Sequence, residues 1–157
     1  MLPEIIVHKM VYDKGYYGFD SSILQKYKFI DLSDDYTSEY IKIYNKCFYD
    51  MRRQLKVEPY DFYSSKVQLA DKYSNIKLLI LENNIVGSVG IYDNEIDDLI
   101  VAPAFQGNGY AKILLNYAIN NMDQGSDIIL HVVATNNKAV DLYLGNGFII
   151  TETFKAR

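Results

Sequence analysis

The stretch from Leu99 to Met122 constrains this chain more than any other. Leu99-Ile100-Val101 reads as the end of a strand, and Ala102-Pro103 stops it. Gln106-Gly107-Asn108-Gly109 forms a glycine-bearing loop, after which Ala111, Leu114, Leu115, Ala118, Ile119 and Met122 recur at helical spacing up to Gly125. A strand that turns through glycines straight into a helix leaves the first N–H groups of that helix without partners. The glycines let the preceding backbone aim further N–H groups at the same point. The helix dipole adds partial positive charge there. Such a cradle suits a diphosphate, and a plain glycine turn between strand and helix is the alternative reading of the same residues.

The elements around this stretch follow from periodicity. Tyr40, Ile41, Tyr44, Phe48, Met51 and Leu55 lie at helical spacing behind Asp34, Asp35 and Thr37, which predicts an amphipathic helix over 37–55. A weaker pattern of Phe62, Tyr63, Val67, Ala70 and Tyr73 predicts a second helix before Ser74-Asn75. From Ile76 the period changes to that of strands: 76–81, a turn at Glu82-Asn83-Asn84, a return over 85–92, and a third strand over 95–101, an antiparallel meander. Beyond the central helix come a strand at 128–133, a short helix at 136–144 and a last strand at 148–154. Near the start, Glu4 to Tyr12 and Tyr27 to Leu32 read as strands flanking a turn at Gly15 to Gly18. The fold class is α/β or α+β.

Composition narrows the function classes. The chain has 157 residues, 49% apolar and 23% charged, with no linker or repeat, which fits one compact domain. A net charge of −4 disfavours a phosphate backbone as partner, so nucleic acid is not expected. No apolar run approaches the ~20 residues that span a bilayer, no secretion signal is evident, and the single Cys47 has no partner, so we expect a cytoplasmic protein without a membrane partner. His8, His131 and Cys47 are too few and too scattered for a metal site, and none is expected.

Two motifs then carry a resemblance. Gln106-Gly107-Asn108-Gly109-Tyr110-Ala111 after Leu99-Ile100-Val101-Ala102-Pro103 is similar to the cofactor loop of the GNAT superfamily of N-acetyltransferases, Gln/Arg-x-x-Gly-x-Gly/Ala. Asn136, Ala139, Leu142, Tyr143, Gly147 and Phe148 resemble that family's second motif, Asn-x-x-Ala-x-x-Leu-Tyr followed by Gly-Phe. The likeness covers about 27–154. It implies a mixed, mostly antiparallel central sheet flanked by about four helices, in a single domain over 1–157 with residues 1–26 as an extension outside the family pattern. It implies acetyl-CoA as cosubstrate and a primary amine, small-molecule or peptide, as acceptor. The backbone from Gln106 through Gly107, Asn108, Gly109 and Tyr110 to Ala111 would hold the pyrophosphate. The edge of Leu99, Ile100 and Val101 would pair with the pantetheine arm, beside a V-shaped gap before the strand at 128–133. Many relatives continue past the strand after Gly147-Phe148. Glu4 to Tyr12, or the partner in a homodimer, is expected to complete that sheet edge.

The chemistry needs a neutral amine, a polarised carbonyl and a proton for the departing thiolate. The resemblance gives Tyr143 the acid role, against packing on the core as the alternative. Among the acids beginning the cofactor strand we favour Glu95 as base, then Asp97, with solvated surface charge as the other reading. Strict alternation would place Glu95, Asp97, Leu99 and Val101 on one face and Ile96, Asp98 and Ile100 on the other. Asn136 either hydrogen-bonds the cofactor arm or caps its helix. His131, in an apolar run, reads as a core residue, and Cys47 as an inert buried thiol. Rival readings are a non-catalytic acyl-CoA-binding module and a nucleotide-binding domain.

Overall fold

The computed structural model describes all 157 residues. Seven strands form one sheet: β1 (Ile6–Tyr12), β2 (Lys28–Asp31), β3 (Ile76–Leu81), β4 (Asn84–Tyr92), β5 (Glu95–Val101), β6 (Ile129–Val133) and β7 (Phe148–Lys155). Their spatial order is β2-β3-β4-β5-β6-β1-β7, and every neighbouring pair is antiparallel except β5 with β6. The helices are α1 (Asp34–Leu55), α2 (Tyr110–Asn120) and α3 (Asn137–Leu144), with short 3-10 turns elsewhere. This is the mixed, mostly antiparallel sheet with flanking helices that the residue patterns point to.

α1 starts after Ser33, with Asp34 and Asp35 in the first turn, where the dipole favours negative charge. Thr37 lies inside the helix, its hydroxyl donating to the Ser33 carbonyl at 2.9 Å. Tyr40 and Tyr44 are its buried aromatic positions. The second helix expected near 62–73 is instead a 3-10 turn, Lys66–Leu69, begun by a capping box between Ser65 and Gln68. Only Tyr63 and Leu69 of that segment are buried, too narrow a stripe to hold a longer helix on the sheet.

Two apolar cores lie on opposite faces of the sheet. Leu114, Leu115 and Ala118 of α2 pack with Val86, Val89, Ile96, Leu130, Met10 and Phe148 on one face. On the other, Tyr40 and Tyr44 of α1 pack with Tyr63, Leu69, Leu78, Ile80, Ile85 and Ile100, with no buried member from β6, β1 or β7.

Core membership overturns the alternation expected for β5. Ile96 belongs to the α2 core, but Ile100, four residues on, belongs to the α1 core, while Leu99 and Val101 pack against the α2 core. The cause is a bulge: Ser88 pairs with Ile100 and Gly90 with Asp97, so two steps along β4 face three along β5. Asp98, at the extra position, has φ 49°. Glu95 and Asp97 point away from Ile96, and Asp98 is turned to the same side, so all three acids share the α1 face.

The N-terminal segment is part of the sheet interior. β1 pairs Val7 with Val133 on one side and with Phe154 on the other, placing Met10 fully in the core. It therefore lies between β6 and β7 rather than outside the last strand, and β7 forms the edge of the sheet. Arg157 ties the arrangement together, its guanidinium donating to the carbonyls of Pro3, Leu55 and Lys56 and so capping the end of α1.

Candidate active site

β5 and β6 pair only through Glu95 with Ile129 and Ile96 with Leu130. Beyond that point the strands part, leaving the edge of β5 from 97 to 101 without a strand partner. The V-shaped gap expected between them is present. Into it opens a cleft of about 650 Å³ lined from α1 by Cys47, Phe48 and Met51, from β5 by Leu99, Ile100 and Val101, from the loop and α2 by Gln106, Gly107, Gly109, Tyr110 and Ala111, and from α3 by Asn136 and Tyr143. Of the residues assigned to the cofactor, only Asn108 does not line it; its side-chain amide donates to the carbonyls of Phe105 and Gln106 and shapes the loop.

The mouth of the cleft is built for an anion. Gly107 and Gly109 have φ of 82° and 83°, a conformation that favours glycine, and a Cβ on either would meet nothing within 4 Å. No side chain caps α2 and its first turn contains no acid, so its leading N–H groups face the cleft unopposed. Lys112 and Lys138 also line the cleft and supply the positive charge that Gln106 does not. The Gln106 side chain acts as a brace instead, its Nε2 donating to the Val101 carbonyl at 3.0 Å; Cys47 Sγ donates to the same oxygen at 3.4 Å. Cys47 is thus half-buried at the cleft wall, and burial pushes its thiol pKa up, which keeps it protonated.

Asn136 is the N-cap of α3, its Oδ1 accepting from the Ala139 N–H at 3.3 Å, while the residue also faces the cleft. Capping sets the direction of α3 and thereby the place of Tyr143. That tyrosine is 8% exposed, packs at 5.9 Å from the Phe148 ring and has no side-chain hydrogen bond within the protein. Burial first, then the charges of Asp97 and Asp98, hold its hydroxyl pKa above the ordinary tyrosine value, so it is a proton carrier at neutral pH.

The acids lie at the apex of the gap and do not line the cleft itself. Glu95 accepts from or pairs with His131 Nδ1 at 3.1 Å. His131 is therefore exposed beside an acid, not a core residue as its apolar neighbours suggested. Asp97 Oδ1 accepts from the Asp98 N–H at 2.9 Å, and its pKa is raised, chiefly by lost hydration, although the side chain keeps an exposed surface that water can screen. Asp98 is half-buried and accepts from the Tyr44 hydroxyl at 3.3 Å; burial, with Asp97 adding like charge, pushes it up to about 6. Sequence reasoning assigned Asp98 no role because the alternation rule turned it away from its neighbours. No local signal marks it, because the bulge that turns it is fixed by the register against β4.

Comparisons with known proteins agree with this fold. The sequence profile of the Acetyltransferase (GNAT) family matches residues 30–148. The [ribosomal protein bS18]-alanine N-acetyltransferase of Haemophilus influenzae is 28% identical over 106 residues, 64% of this chain and 71% of that protein. A GNAT-family protein from Novosphingobium aromaticivorans superposes over 98% of this chain and 63% of its own, with TM-score 0.66 and 19% identity. A GNAT-family acetyltransferase from Colwellia psychrerythraea does so over 96% of this chain and 54% of its own, with TM-score 0.68 and 11% identity. This chain thus spans about half to two thirds of the length of those two solved structures. With the family profile covering residues 30–148, most of its length, the chain belongs to the GNAT acetyltransferase family.

Proposed function

We propose that this protein transfers an acetyl group from acetyl-CoA to a cationic primary amine by direct attack, with both substrates bound together. The observation that carries this reading is the continuity of one cleft from the uncapped start of α2, along the open edge of β5, to Tyr143. The diphosphate would lie on the N–H groups of residues 107–111, the Gln106 N–H being bonded to the Pro103 carbonyl. The pantetheine arm would run beside 99–101 as an added strand, and the thioester would reach the gap where β5 and β6 part. A main-chain N–H of β5 would polarise the carbonyl, and Tyr143 would give its proton to the departing thiolate.

The acceptor class follows from charge. Glu95, Asp97 and Asp98 share one face at the apex of the gap, a setting that attracts an ammonium group and repels an anion. The Haemophilus relative is named for acetylating an alanine of a ribosomal protein, so peptide amines stand beside small cationic amines as candidates. The test is thiol release from acetyl-CoA by the purified protein, with a polyamine, a free amino acid and a peptide with N-terminal alanine as acceptors. Saturable release with at least one amine is expected. Saturable acetyl-CoA binding with no release for any amine would make the protein an acyl-CoA-binding module instead.

A further inference from the structure

Asp98 occupies the one position of β5 where the backbone leaves strand geometry. Its φ of 49° is in the left-handed region, which aspartate tolerates better than most side chains, and within a strand it marks a bulge; bulges recur where a strand re-aims a side chain beside a site. Without the bulge, Asp98 would share the face of Ile96, inside the apolar α2 core. With it, the carboxylate lies under α1, 3.3 Å from the Tyr44 hydroxyl. The other two acids are engaged elsewhere. Glu95 is at the end of β5–β6 pairing beside His131, and Asp97, exposed to water, has its Oδ1 on the Asp98 N–H that shapes the bulge.

We propose that Asp98, positioned by the Tyr44 hydroxyl, is the base that takes the proton from the acceptor ammonium. The inference rests on the transferase reading above. One proton passes from the ammonium nitrogen to the Asp98 carboxylate and on to solvent. The freed lone pair forms the C–N bond as the C–S bond breaks, its electron pair leaving on sulfur. Tyr143 protonates that sulfur and recovers its proton from the second one lost by nitrogen, so one proton is released per turnover.

The surroundings set when Asp98 can do this. On its own strand Asp97 and Glu95 are like charges, and from α1 and the following segment Arg52 and Lys72 oppose them. Tyr40, Tyr63 and Tyr92 are neutral phenols in the field of the carboxylate, all with raised pKa through burial and then the charge of Asp98. His131 of β6 is in the field of Asp97, and Tyr143 of α3 in that of both aspartates. The balance leaves Asp98 a base near neutrality, where proton transfer is most effective.

The experiment is the pH profile of kcat/KM for wild type, Asp98→Asn, Tyr44→Phe and Glu95→Gln with one active amine, alongside acetyl-CoA Kd and thermal unfolding as folding controls. Wild type should lose activity below about pH 6. Asp98→Asn should lower kcat/KM at pH 7 by about 10²-fold or more, abolish that limb, and recover as pH rises and the ammonium loses its proton directly to solvent. Tyr44→Phe should shift the limb upward, because the hydroxyl stabilises the carboxylate, while the KM for acetyl-CoA stays unchanged. Glu95→Gln should keep the limb. An Asp98→Asn enzyme within about threefold of wild type, with its limb intact, overturns the assignment. Loss of the limb in Glu95→Gln does the same. If Asp98→Asn does not fold, an unmoved limb in Tyr44→Phe rejects the role. Wild type inert toward every amine would instead remove the transferase reading itself.

Discussion

The Tyr143 ring is buried beside Phe148, but the residue faces the cleft and no hydrogen bond within the protein depends on its hydroxyl. Tyr143→Phe should therefore leave thermal stability and acetyl-CoA Kd unchanged, while kcat falls by about 10²-fold. Unchanged kcat in a steady-state assay would reduce Tyr143 to a packing residue. Asp98 carries an opposite sign from the usual surface acid. Its folded pKa, about 6, is raised above the ordinary aspartate value, so its ionisation opposes folding. That cost is absent below about pH 4 and fully present above about pH 6. Asp98→Asn should accordingly raise Tm at pH 7 and lose the gain as pH falls to about 4, as calorimetry across pH would register. A mutation that stabilises the fold and impairs turnover is what a site under strain predicts.

Elements explain how much was legible beforehand. The glycine loop, the stripe of α2 and the meander of β3 to β5 could be read because each rests on local spacing, and the Asn136 to Phe148 motif located α3 and Tyr143. The bulge in β5 could not, because it is fixed by pairing with β4, where Gly90 meets Asp97, and a pairing register leaves no local period. The segment after α1 misled for a related reason: its apolar residues satisfy a helical count, yet the structure uses only Tyr63 and Leu69 to seal the α1 core. At the loop, Gly109→Ala would force a side chain into left-handed backbone at about 1–2 kcal/mol. It should lower Tm and weaken acetyl-CoA binding together, measurable by calorimetry. Binding unaffected by this change would mean that the start of α2 does not hold the diphosphate.

At the scale of the molecule, one cleft divides a sheet that is continuous only at its apex. β2 to β5 with α1 form one side; β6, β1 and β7 form the other, with β1 as the strand that joins β6 to β7. The position of β1 was the least legible feature of the chain, since strand order is a matter of three-dimensional contact and its residues carry no motif. It also makes the N-terminal segment structural. Met10→Ala, which empties a fully buried site between β6 and β7, should cost about 2–5 kcal/mol in chemical denaturation. No helix of the protein is long and apolar enough to cross a membrane. The measurement that bears most directly on the whole arrangement is the crystal structure of the complex with coenzyme A. The diphosphate oxygens should accept hydrogen bonds from the backbone N–H groups of residues 107–111, with the pantetheine amides alongside 99–101 in the gap. A diphosphate bound elsewhere, with that loop and edge left to solvent, would contradict it.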